Sequence, residues 1–151
     1  MSSSTRLGSL VAGTGTRTQR AGHLARAVRE HGGYRWVGVY EVTDVAVAIM
    51  GYAGPGPPRF PRFGQTEGLT GTAVATGRSV LVDDVSADPQ YLTAFGSTRS
   101  EMIVPVLAPT GGVIGTIDIE SDRLAAFREA DRELVERCAQ AITRLFAVAQ
   151  R

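Results

Sequence analysis

The sequence predicts an α+β domain, with one antiparallel sheet, helices packed on one face, and a loop-covered pocket on the other. Three features carry this expectation. Two hairpins rich in β-branched residues are separated by a Gly- and Pro-containing crossover, and amphipathic helical stretches stand at both ends of the chain.

The elements follow in order. Residues 1–15 are rich in Ser, Thr and Gly and read as a flexible arm, leaving 16–151 as a single domain. The spacing predicts a helix from about Thr16 to Glu30, with Leu24 and Val28 four apart and His31-Gly32-Gly33 closing it. Tyr34 to Tyr40 and Val45 to Met50 form the first hairpin, turning at Thr43-Asp44. Gly54-Pro55-Gly56-Pro57-Pro58 sustains neither a central strand nor a helix and reads as an exposed loop, leading to an edge strand around Arg59 to Phe63. Gly68 to Thr76 is a short helix stopped by Gly77, and Ser79 to Val82 a brief strand. Asp83 to Phe95 suits a lid or wall. Glu101 to Leu107 and Val113 to Glu120 form the second hairpin, with Thr110-Gly111 as its turn centre. The tail from about Ala130 to Ala149 reads as one long helix, with Leu134, Cys138, Ile142, Leu145 and Phe146 on a single stripe.

Composition excludes several function classes. The net charge is +1, and no run of like charges exceeds two residues, so nothing attracts the chain to nucleic acid or to anionic lipid. No apolar run reaches the roughly 18 residues of a membrane span. The sequence has neither lysine nor asparagine, which removes Schiff-base and phosphate-loop lysine chemistry. One cysteine makes no internal disulfide, and Cys138, His23 and His31 are too few for the usual metal sites. The expectation is a cytoplasmic chain without metal or cofactor.

Five phrases in order then resemble one family. They are Gly68-Leu69-Thr70-Gly71-Thr72-Ala73, Val82-Asp83-Asp84-Val85, Arg99-Ser100-Glu101-Met102-Ile103-Val104-Pro105-Val106, Gly112 to Ser121, and Phe127-Arg128-Glu129-Ala130-Asp131. Together, over about Arg17 to Val148, they resemble the GAF domain. Among GAF domains, Trp36-Val37-Gly38-Val39-Tyr40, the Ser100-Glu101 pair and Asp118-Ile119-Glu120 resemble the free methionine-(R)-sulfoxide reductases. The resemblance implies a mechanism in which one thiol attacks the sulfoxide sulfur and another resolves the intermediate as a disulfide. Its three cysteine positions fall at Phe60, Thr70 and Ala94, and none is a thiol here. A hydroxyl such as that of Thr70 does not replace a thiolate.

The acids remain. Asp118 and Glu120, two apart on a strand, share a face. With Thr110-Gly111 at the turn, Glu101 lies across from Glu120, and three carboxylates crowd one side of the sheet. A solvated sheet face is the plain alternative. In the reductases the matching positions hold the free amino acid; Glu120 stands where that family usually has Asp.

Trp36 and Tyr40 would wall the cavity, with Thr70 and Ser100 beside it. Tyr91, Phe95 and Arg99 would close over a ligand, Arg99 facing a carboxylate. The leading expectation is a non-catalytic sensing module for a small amine-bearing metabolite, acting in signalling as a homodimer through the N- and C-terminal helices, with no catalytic residue. One alternative is a reductase-like enzyme with an altered mechanism. Another is an interaction module that pairs two copies through the stripes of the first and last helices.

Overall fold

The computed structural model describes residues 15–89, 91 and 95–147. The arm up to residue 14, the tail beyond residue 147, and the Ala94 position lie outside the described residues.

Helix α1 spans Arg17–Gly32. Thr16 Oγ1 accepts from the Gln19 backbone N–H at 3.1 Å, and Gln19 Oε1 accepts from the Thr16 N–H at 2.9 Å. This reciprocal box satisfies two donors that a helix start leaves unpaired. Gly33, in the left-handed region, ends the helix. Strands β1 (Trp36–Val42) and β2 (Val47–Ala53) form the first hairpin, and β3 is only the pair Arg62–Phe63. After it come α2 (Gly68–Thr76), β4 (Val80–Val82) and a single 3-10 turn at Val85–Ala87. Strands β5 (Ser100–Leu107) and β6 (Val113–Ser121) make the second hairpin. The sheet is antiparallel throughout, in the order β3-β2-β1-β6-β5-β4.

The predicted C-terminal helix is two helices, α3 (Glu129–Ala141) and α4 (Thr143–Ala147), broken at Ile142. Ile142 itself is fully buried, so the break lets the chain turn while its apolar stripe stays on the sheet. Asp131 fixes the start of α3: one carboxylate oxygen accepts from the Arg128 N–H at 2.8 Å, the other from Tyr34 Oη at 2.9 Å. Tyr34 therefore precedes β1 instead of beginning it, and packs on Phe127 at 6.0 Å between ring centres.

Alternation along the strands divides the molecule. Val37, Val39, Met102, Val104, Ile117 and Ile119 point to one face and are buried under Leu24, Val28, Val135, Cys138, Ile142 and Leu145. The stripes expected to pair two copies are thus consumed by the chain's own core. The opposite face carries Trp36, Tyr40, Glu101, Asp118 and Glu120, with α2 packing there through Leu69 and Ala73 on Ile103.

Two loops depart from expectation. The hairpin turn is longer than Thr110-Gly111: Ala108 donates to Gly112 O and Leu107 pairs with Val113. A bulge between Val106 and Leu107 shifts the ladder back by one, so Glu101 still faces Glu120. Nor is the Gly54–Pro58 loop simply exposed. Buried Trp36 needs an acceptor for its indole N–H, and Gly56 O supplies it at 2.9 Å, drawing the loop over the ring.

Helix α1 lies so close to β2 that a Cβ at Gly51 would come within 2.7 Å of Ala21 C and 2.8 Å of Gly22 Cα. Backbone does not yield as a side chain does. Gly51→Ala is expected to cost about 1–3 kcal/mol of stability in urea denaturation. Gly22→Ala, which meets nothing within 4 Å, should instead stabilise α1 by roughly 0.5–1 kcal/mol.

Candidate functional site

Adjacent strands assemble the site. Trp36 stands opposite Glu120 and Gly38 opposite Asp118 on β1 and β6; Glu101 stands opposite Glu120 on β5 and β6. A Cβ at Gly38 would lie 2.8 Å from Trp36 Cζ3 and 2.9 Å from Tyr40 Cε2, so glycine lets the two rings converge above Asp118. Trp36 is held further by the edge of Phe95 at 5.1 Å and by stacking on Tyr52 at 6.3 Å.

The acids are buried: Glu101 is 5% exposed, Asp118 6% and Glu120 1%. One carboxylate oxygen from each lies within 4.8 Å of the other two. The solvated-face alternative is therefore overturned; this is an interior cluster of like charges. Burial, and then the Asp118 and Glu120 charges, hold Glu101 well above the usual carboxylate range. Burial and Glu120 do the same to Asp118. Burial also raises Glu120, but hydrogen bonds from Glu101, Thr98 and Tyr91 oppose the rise. Tyr91 Oη donates to Glu120 Oε1 at 3.1 Å. Among the described residues, Asp118 Oδ1, Glu120 Oε2 and the Thr116 hydroxyl are buried without a hydrogen-bond partner. Buried polar atoms are seldom left so.

Two spaces flank the cluster. A chamber of about 20 Å³ lies over Glu101 and Asp118, bounded by Tyr40, Phe60, Phe63, Leu69 and Thr70. A cavity of about 300 Å³ opens beside Glu120 and Trp36, bounded by Arg35, Pro55, Gly56, Pro57, Phe95 and Thr98. The second is at the lower end of the size that takes small-molecule ligands, roughly 300–1,000 Å³.

Of the residues singled out from sequence, Trp36, Tyr40, Thr70, Tyr91, Phe95, Glu101, Asp118 and Glu120 come together here. Two do not. Ser100 precedes Glu101 and so points to the other face, where its hydroxyl donates to Arg123 O at 2.6 Å and accepts from the Ala126 N–H at 3.3 Å. Arg99 is exposed and interacts with Asp84 outside both spaces. Sequence reading missed Thr116, although its place two before Asp118 puts it on the same face. Thr98 had no signal, because its reach to Glu120 depends on the loop path.

Cys138 sits on α3 beneath the far face of the sheet, 3% exposed, within the apolar core. Burial pushes its thiol up to about 11, so little thiolate exists near neutrality. Neither Phe60 nor Thr70 offers sulfur in its place.

A ligand-pocket domain is thus defined by one sheet face and its loops. A model of the GAF domain matches residues 17–145, and the chain belongs to the GAF domain family. The free methionine-R-sulfoxide reductase of Saccharomyces cerevisiae is 30% identical over 112 residues, covering 72% of this chain and 61% of its own length. This chain therefore spans less than two thirds of that relative. The structure of the Neisseria meningitidis free methionine-R-sulfoxide reductase in complex with its substrate superposes with TM-score 0.84 at 28% identity, covering 97% of this chain and 87% of that one. The type II enzyme of Thermoplasma acidophilum gives 0.81 at 29%, covering 87% and 93%. Among the described residues no helix is long and apolar enough to cross a membrane.

Two outcomes follow. Carboxyls whose pKa is raised by folding contribute stability that is complete below the ordinary carboxylate range, about 4, and lost as pH rises through the raised values. Stability should therefore fall as pH rises above the ordinary carboxylate range, and Asp118→Asn should flatten that fall in urea midpoints taken across a pH series. Cys138 should resist a disulfide thiol reagent in the native protein and react fully once denaturant exposes it.

Proposed function

We propose that this GAF domain is a binding module for a small amine-bearing metabolite and carries out no thiol turnover. The observation that supports it is the buried cluster of Glu101, Asp118 and Glu120, two of whose oxygens have no partner, beside an aromatic-walled cavity of about 300 Å³. An uncompensated acid cluster is costly to bury, and a cationic group removes that cost on binding. From the larger cavity an ammonium would meet Glu120 first, with Trp36 and Phe95 enclosing its apolar substituent.

A second reading is favoured by the likeness to the reductases: an enzyme of that substrate class whose mechanism has changed. It requires sulfur chemistry that Cys138 would have to supply from across the sheet. Among the described residues, Leu24, Val28, Cys138, Ile142 and Leu145 of the terminal helices pack in the chain's own core.

Thermal denaturation with free amino acids and alkylamines, against matched carboxylic acids and amides, tests the binding module. Amines should raise the midpoint, by about 2.7 kcal/mol of stabilisation at a hundred times the dissociation constant. Glu120→Gln should abolish the shift. An equal response to amides would overturn the amine class. Reduction of free methionine sulfoxide by dithiothreitol, present in the parent and lost in Cys138→Ser, would establish the enzyme reading instead.

A further inference from the structure

The smaller chamber lies against two of the three acids, Glu101 and Asp118. Its volume of about 20 Å³ exceeds the roughly 10–15 Å³ that one water requires. One ion or one water fits it. Around it stand carboxylates, with the hydroxyl-bearing side chains of Tyr40 and Thr70 on its wall. Among the described residues Asp118 Oδ1 has no donor to accept from, nor has Glu120 Oε2, and both residues are more than nine-tenths buried.

We propose that Glu101, Asp118 and Glu120 form a site for one hard divalent cation of the magnesium, manganese or calcium class, held between Glu101 and Asp118 of the small chamber and Glu120 of the neighbouring cavity. Oxygen donors hold such ions at about 2.0–2.6 Å, so two donors of one ion stand at most about 4–5 Å apart. The observed 4.8 Å limit on the three carboxylate oxygens matches that span. An all-oxygen donor set selects hard cations over zinc or copper. The expectation from sequence that metal was absent counted only cysteine and histidine, the wrong donors for this ion.

Charge supports the same division of the pocket. Metal binding requires deprotonated ligands; in the metal-bound site three carboxylates and one divalent cation leave a single negative charge, which an ammonium in the outer cavity balances. The inference shares Glu120 with the amine reading and deepens it, but it is tested without any amine.

Chelator-treated protein is titrated with manganese(II), and the free ion is followed by electron paramagnetic resonance. One ion should bind per chain and raise the melting temperature. Asp118→Asn and Glu101→Gln should each weaken binding at least about tenfold, the lower bound for losing even an outer-shell partner. Exposed Glu133→Gln should bind as the parent does. Manganese remaining free at millimolar protein, or binding unchanged in both Asp118→Asn and Glu101→Gln, overturns the site. Amine-induced stabilisation in a protein that binds no manganese would leave the amine reading standing without this one. Manganese binding without amine stabilisation would do the reverse.

Discussion

Everything in this domain depends on the ladder of β1, β6 and β5, because its alternation assigns each side chain to one of two incompatible environments. Val37, Met102, Val104, Ile117 and Ile119 go under the helices, and the residues between them must go to the other side. The helix-side core is apolar, densely buried and held by local caps at Thr16 and Asp131. That face secures the fold. The other is thereby free to carry a group of acids that would never hold a sheet together by themselves.

The acid cluster has the character of a functional site because it opposes stability. Three carboxyls raised by burial and mutual repulsion persist only where surrounding structure fixes them. Here the fixing elements are visible: Tyr91 and Thr98 bind Glu120, Gly38 lets the Trp36 and Tyr40 rings converge, and Gly56 O anchors the indole. Two spaces of unlike size flank these acids. The lone thiol stands behind the sheet, separated from the acids by the strand backbone. Likeness to sulfoxide reductases extends to the fold.

Much of this was legible in the residues. The order of elements followed from β-branched runs, glycine stops and helical spacing; the acids' common face followed from the two-residue period of β6. Elsewhere local signals competed with packing. Helical periodicity continues through Ile142, yet the chain turns there, because burying Ile142, Leu145 and Phe146 against a twisted sheet outweighs continuing the helix. The Gly-Pro loop carried every sign of exposure, and one indole N–H was enough to draw it onto the pocket. Ser100 belonged to a motif phrase but not to the site, since neighbours on a strand face opposite ways.

By itself the sequence determined the fold, the strand faces and the loss of thiols from the expected positions, since these depend on residue type and short-range period. It even led to Glu101 opposite Glu120, though through the wrong turn; the longer loop and a bulge at Val106 cancel. Only the tertiary structure decided that the acids are buried, that two of their oxygens lack partners, and that a small chamber lies over Glu101 and Asp118. Burial is set by loops and by α2 arriving from distant parts of the chain, and no local pattern in β5 or β6 encodes where they arrive.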